Sequence, residues 1–123
     1  MIKLNHKNLD VWKKSIELIS EVYAITQSFP KDELFGLTSQ IRRASVSIAS
    51  NIAEGFARTS KVETVRFLDI SRSSLVEVDT QIEIATKLKY IKLENLDEFS
   101  EKSNHIFAML SNLIKKLKEN EKN

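Results

Sequence analysis

Apolar residues recur at intervals of three and four along most of this chain, the spacing that places side chains on one side of an α-helix. The first segment of this kind predicts a helix over residues 8–29. Its main stripe comprises Leu9, Trp12, Ile16, Ile19, Tyr23 and Thr26, with a second stripe beside it at Leu18, Val22, Ile25 and Phe29. The helix ends near Phe29, because Pro30 disfavours the α conformation of the preceding residue and has no amide proton to donate.

The second helix, predicted over 37–56, has more than one face that needs a partner. Its apolar stripe comprises Leu37, Ile41, Ala44, Ile48, Ile52 and Phe56. A polar stripe roughly 80° wide comprises Gln40, Arg43, Ser47, Asn51, Glu54 and Arg58. Small apolar residues lie between the two stripes at Val46, Ala49 and Ala53. Gly55 is compatible either with a C-terminal stop or with close contact to another helix.

Two further helices complete the pattern. Ser60 and Glu63 have the spacing of a capping box, in which the serine hydroxyl accepts a hydrogen bond from the third amide of the helix, so helix three is predicted over 61–89. Its seam comprises Val65, Leu68, Leu75, Val78, Ile82 and Ala85, with Ser71 and Arg72 near it. Helix four, over 94–119, has a regular seam at Leu96, Phe99, Ser103, Ile106, Leu110, Leu113 and Leu117.

Composition agrees with an all-α fold. The chain has 123 residues with only two Gly and one Pro, so regular segments are long and tight turns are few. Four amphipathic segments joined by short connections favour one domain over 1–123, an antiparallel up-down-up-down four-helix bundle. Cys is absent, and no apolar run has the length of a signal peptide or a membrane span, so a cytoplasmic protein with no membrane partner is predicted.

The polar stripe of helix two allows two interpretations. It is either an ordinary solvent-facing side or a structural network that joins Gln40, Arg43, Ser47, Asn51 and Glu54, within one subunit or between subunits. Serine and asparagine are poor residues inside a helix, because their side chains compete for backbone hydrogen bonds. Buried hydrogen bonding would offset that cost, so the network is the favoured interpretation.

Arginine side chains supply the candidates for nucleic-acid binding. Guanidinium groups match phosphate oxygens, and Arg42, Arg43 and Arg58 are the best placed. The alternative is that Arg43 pairs with Glu54 and that Arg42 is merely exposed. The net charge of +2 is small and the signs are mixed along the chain, so a free monomer is expected to attract nucleic acid only weakly. Symmetric assembly would repeat each arginine and enlarge the basic surface.

Catalytic and metal-binding chemistry find no support. A di-iron site in a four-helix bundle requires Glu-x-x-His motifs, and the chain has none. His6 and His105 are interpreted as isolated surface residues. Neither a nucleophile elbow nor a glycine-rich phosphate loop occurs, so no catalytic residue, cofactor or metal ligand is predicted and the protein is expected not to be an enzyme.

Self-association is predicted from apolar residues that lie off the bundle seams. Phe67, Ile70 and Ile84 occupy a second side of helix three, and an off-seam aromatic residue is a plausible interface anchor. Together with the small residues of helix two, they define the predicted subunit interface. Its members are Val46, Ala49, Ala53, Phe67, Ile70 and Ile84.

Four segments between Leu9 and Ile91 have a distinctive sequence: LDVWKKSIEL, GLTSQIRRASVSIASNIAEG, RFLDISRSSLVEVDTQIEIA and residues 88–91. They resemble the four-helix-bundle proteins encoded in the intervening sequences of bacterial 23S ribosomal RNA genes. The resemblance is most specific in GLTSQIRRASVSIASNIAEG. The family commonly has a proline shortly before SNIAEG, at the position of Ala49.

The resemblance implies a homopentamer of four-helix protomers and no known catalysis. The accessory protein of diversity-generating retroelements is similar in fold and assembly and works with a reverse transcriptase. Two hypotheses for function follow. The first is a non-enzymatic module that binds RNA or DNA or serves as an adaptor for a nucleic-acid enzyme, and the second is a purely structural protein-protein scaffold.

Overall fold

The fold comes from a computed structural model, in which residues 1–121 are described. The α-helices are α1 (Asp10–Thr26), α2 (Leu37–Phe56), α3 (Lys61–Lys87) and α4 (Asp97–Glu121). Short 3-10 turns at Asn5–Asn8, Lys31–Glu33 and Leu93–Leu96 precede α1, α2 and α4. No strand occurs among the described residues, so the predicted all-α class is confirmed. The domain predicted over 1–123 includes Lys122 and Asn123, which lie outside the described residues.

The helices pack as a bundle. Each helix contacts the next one along the chain, and α4 returns to contact α1. The core is aliphatic, and its most buried side chains are contributed by all four helices: Leu18, Val22, Ile41, Ile48, Ile52, Leu68, Val78, Ile106 and Leu110. The predicted seams of α3 and α4 lie in or against this core.

The burial predicted for α1 is partly wrong. Leu18 and Val22, assigned to the second stripe, lie at the centre of the buried side, whereas Ile16 and Tyr23 are exposed. The apolar arc of α1 is wider than the strip that its neighbours cover, so one edge of it remains at the surface. His6, predicted to be a surface residue, is buried and packs edge-on against Trp12 with 5.3 Å between ring centroids.

Several helix ends differ from the predicted ones for local reasons. Leu9 is extended, so α1 begins at Asp10 and not at residue 8. After Thr26 the chain turns, and the Phe29 amide donates to the Thr26 carbonyl at 3.1 Å. At the end of α3, Lys89 adopts a left-handed conformation with φ of 66°, which stops the helix at Lys87. α2 continues through Ala49 to Phe56 without a break.

The start of α3 follows the capping motif. The Ser60 Oγ accepts a hydrogen bond from the Glu63 amide at 3.1 Å, as the sequence predicts. Only four residues separate α2 from α3, so the α2–α3 turn holds the two helices close together at this end.

Candidate functional site

Small polar side chains join α2 to α3 along their contact. The Ser71 Oγ donates to the Ile48 carbonyl at 2.7 Å, and the Thr64 Oγ1 donates to the Gly55 carbonyl at 2.8 Å. Small residues at these positions permit a close approach of the helices, and the hydrogen bonds satisfy hydroxyl groups that packing removes from water. This contact therefore combines tight packing with specific polar pairing.

Ser47 and Asn51, two members of the predicted polar network, lie on this contact. The Ser47 and Ser74 hydroxyls are 2.9 Å apart, and the Asn51 Nδ2 donates to the Ser47 carbonyl at 2.8 Å and to the Ser47 Oγ at 2.9 Å. Ser74 belongs to α3, so the bond between Ser47 and Ser74 connects two helices within one subunit. No motif marks Ser74 in the sequence, although its spacing of three residues from Ser71 places it on the same side of α3.

Gln40, Arg43 and Glu54 do not join these hydrogen bonds. All three are exposed, because only the inner edge of the polar stripe faces α3. Gln40 and Arg43 line a shallow hollow of ≈ 300 Å³ together with Ser47 and Glu77. Among the described side chains, Arg43 makes no ion pair. Its guanidinium group is therefore available to a partner.

Arg42 is not merely exposed, since it links α1 to α2. Its Nε donates to the Thr26 Oγ1 at 2.9 Å, and its guanidinium carbon lies 4.6 Å from the centroid of the Tyr23 ring. A cation above an aromatic face is attracted by the ring quadrupole. These contacts give Arg42 a structural role in joining α1 to α2, and that role competes with phosphate binding.

Arg58 lies at the α2–α3 turn with two neighbours. It pairs with Glu54 at 3.3 Å, and its guanidinium carbon lies 4.8 Å from the centroid of the Phe67 ring. Glu54 is therefore the partner of Arg58 and not of Arg43. Both charged side chains are about half exposed, so the pair contributes little to stability and leaves Arg58 accessible.

The six predicted interface residues divide by exposure. Val46, Ile70 and Ile84 are 41%, 40% and 45% exposed, whereas Ala53 and Phe67 are half-buried. Ala49 is only 5% exposed, so it offers little surface to a second subunit. It follows Arg42 by seven residues and thus lies on the side of α2 that faces α1.

Two polar clusters that the sequence analysis missed link other pairs of elements. Glu21 on α1 pairs with Lys102 on α4 at 3.2 Å, and burial raises the pKa of Glu21. Near the start of α2, Glu33 accepts hydrogen bonds from the Leu37 amide at 3.2 Å and from the Tyr90 hydroxyl at 3.0 Å. The bond to Glu33 raises the pKa of Tyr90. No local sequence motif identifies the Glu21–Lys102 and Glu33–Tyr90 pairs, because their members are distant in the chain.

Comparison with known proteins identifies the family. The profile of the 23S rRNA-intervening sequence protein family matches residues 7–112. The chain belongs to this family. A comparison with curated proteins finds no significant match.

A solved structure supports the fold of this family member. The chain is similar to a protein of unknown function from the S23 ribosomal protein family of Bacteroides thetaiotaomicron, with a TM-score of 0.78 and 24% sequence identity. The match covers 85% of this chain and 95% of the other.

Among the described residues, no helix is both long and apolar enough to span a bilayer.

Proposed function

We propose that this family member is a non-enzymatic, homo-oligomeric protein of the cytoplasm that binds RNA or DNA through backbone phosphates. The exposure of Val46, Ile70 and Ile84 on α2 and α3 supports self-association, because large apolar side chains at a surface favour contact with a partner. The number of subunits, five, rests on the family resemblance. The cellular role that best fits such a protein is that of an adaptor for a nucleic-acid enzyme.

The up-down-up-down arrangement is the subunit architecture of this proposal. Hydrogen bonds pair Thr64 with Gly55 and Ser71 with Ile48, so later positions on α3 meet earlier positions on α2. The same relation holds between α3 and α4: the Arg72 Nη1 donates to the Ser111 Oγ at 3.1 Å, and further along α3 Ile82 and Thr86 line a common hollow with Phe99 near the start of α4. Contacts of this order support neighbouring helices that run in opposite directions.

Removing apolar area from the proposed interface is expected to dissociate the assembly. Light scattering should give the wild type a mass of several times the 14.1 kDa chain. The double variant Ile70→Glu with Ile84→Glu should give the mass of one chain, since each charge would have to be desolvated at the interface. The control is Leu93→Glu, an exposed position outside the proposed interface. A monomeric wild type at micromolar concentration would rule out the assembly.

Nucleic-acid binding is expected to depend on salt and not on sequence. Wild-type protein should bind an RNA hairpin and a DNA duplex at low salt, and affinity should fall at least about tenfold between 50 and 200 mM salt as counterions are released. Fluorescence anisotropy measures both effects. No detectable binding at 20 mM salt would contradict the proposal.

The alternative is a structural scaffold that recruits another protein. It is favoured by the internal contacts of Arg42 with Thr26 and Tyr23 and by the pairing of Arg58 with Glu54. Under this alternative, a specific protein partner remains bound after nuclease treatment and the anisotropy assay is negative. Because the protein then binds no nucleic acid, Arg43→Ala does not change the anisotropy signal.

A further inference from the structure

The fold gathers three basic segments at one end of the bundle. The start of α1 and the second half of α4 meet there, because Leu9, Val11, Met109 and Leu113 line a common hollow of ≈ 290 Å³. The N-terminal turn Asn5–Asn8 also packs on α2. The end of α1 meets the first half of α2, because the Arg42 Nε donates to the Thr26 Oγ1. The end of α2, the α2–α3 turn and the start of α3 therefore lie at the same end of the molecule as the start of α1.

The two ends of the bundle carry opposite charge. Residues 1–14, 54–66 and 110–119, here called the basic end, contain ten Lys and Arg against four Asp and Glu. Residues 20–43 and 77–102, here called the acidic end, contain seven Lys and Arg against ten Asp and Glu. The small net charge of +2 therefore conceals a strong separation of charge along the bundle.

The basic side chains are accessible and come from three helices and the α2–α3 turn. α1, α3 and α4 contribute exposed lysines and an arginine, and Arg58 extends from the turn after α2. The exposed set includes Lys13, Arg58, Lys61, Arg66, Lys115 and Lys118. A cluster of one sign raises the local concentration of a counter-charged ligand and accelerates its association.

We infer that the basic end is the surface that contacts the phosphate backbone of RNA or DNA, an inference that rests on the proposed function and assigns its location. A polyanion that runs across the end meets side chains from α1, the α2–α3 turn, α3 and α4. Arg58 and Arg66 supply guanidinium groups suited to phosphate oxygens, while the lysines supply point charges. Arg42 and Arg43 belong to the acidic end, so their contribution is secondary.

Matched charge reversals test this location. The basic-end variant carries Lys61→Glu, Arg66→Glu and Lys115→Glu, and the acidic-end control carries Lys31→Glu, Lys87→Glu and Lys92→Glu. All six positions are exposed, and both variants change the net charge equally. The basic-end variant is expected to bind an RNA hairpin or a DNA duplex at least about tenfold more weakly than wild type, with a shallower dependence of affinity on salt. The affinity of the acidic-end control should remain within about threefold of the wild-type value, because its charges act on the nucleic acid only at long range, where salt screens them.

Each outcome is decisive. Equal weakening by both variants overturns the location and leaves the proposed function standing, whereas a wild type that binds neither probe overturns both. Circular dichroism checks folding, and the pair Lys13→Glu with Lys118→Glu provides a second basic-end variant on other helices. Vesicles of phosphatidylglycerol and phosphatidylcholine form a further arm. Binding to these vesicles without binding to either nucleic acid would overturn the assignment of the partner.

Discussion

Replacement of Ile48 by alanine is expected to lower the free energy of unfolding by about 2–5 kcal/mol. Ile48 is fully buried at the centre of α2, so the substitution removes apolar burial and leaves a cavity that the surrounding helices fill only in part. The Ile48 carbonyl also accepts the hydrogen bond from Ser71, which fixes the backbone and limits relaxation. Chemical denaturation monitored by circular dichroism measures the change.

The matched control for this core substitution is Val76→Ala. Val76 is exposed on α3 and lies outside the proposed interface, so its truncation should change the free energy of unfolding by less than about 1 kcal/mol. Equal losses in the two variants would contradict the assignment of Ile48 to the core. A larger loss of unfolding free energy for Val76→Ala than for Ile48→Ala would mean that α3 is rotated so that Val76 faces the core.

Replacement of Gly55 by leucine is the second substitution expected to have a large effect. A Cβ atom at Gly55 would lie 3.2 Å from the Phe67 Cβ and 3.2 Å from the Thr64 carbonyl oxygen, closer than ordinary contact. A larger side chain must therefore push α2 and α3 apart and weaken the hydrogen bond between Thr64 and the Gly55 carbonyl. Overpacking of this kind costs about 1–3 kcal/mol, and the lost hydrogen bond adds about 1 kcal/mol.

The control is Gly55→Ala, which adds a single methyl group. Its better helix propensity, about 1 kcal/mol relative to glycine, offsets most of the tight contact. Thermal unfolding should place the alanine variant near wild type and the leucine variant well below it. If the leucine variant unfolds at the wild-type temperature, α2 and α3 are not in close contact at Gly55.

Much of the secondary structure could be predicted because helical periodicity is local. The regular spacing from Leu96 to Leu117 predicts the inward side of α4, and the Ser60 capping motif predicts the start of α3. α1 shows the limit of this approach. Its apolar arc is too wide to reveal whether Leu18 or Tyr23 points to the core, because that choice depends on where α2 and α4 pack.

The candidate site was less predictable than the fold. Ser47 and Asn51 were identified from their poor helix propensity, but their partner Ser74 lies on another helix and follows no motif shared with them. The sequence favours both Arg42 and Arg43 as phosphate contacts and, as the alternative, pairs Arg43 with Glu54 and leaves Arg42 exposed. In the structure it is Arg42 that has internal partners, Thr26 and Tyr23, and such contacts exist only after α1 and α2 have packed.

The sequence alone determined four amphipathic helices, the principal apolar seams of α2, α3 and α4, and membership of a family that matches most of the chain. These properties depend on residues that are close in the chain. The tertiary structure decided which flank of each helix is covered, why Ala49 is buried while Val46 is exposed, and how the charges separate into a basic and an acidic end. Charge along the chain is mixed, and only the meeting of segments such as 1–14 and 110–119 brings the basic residues together.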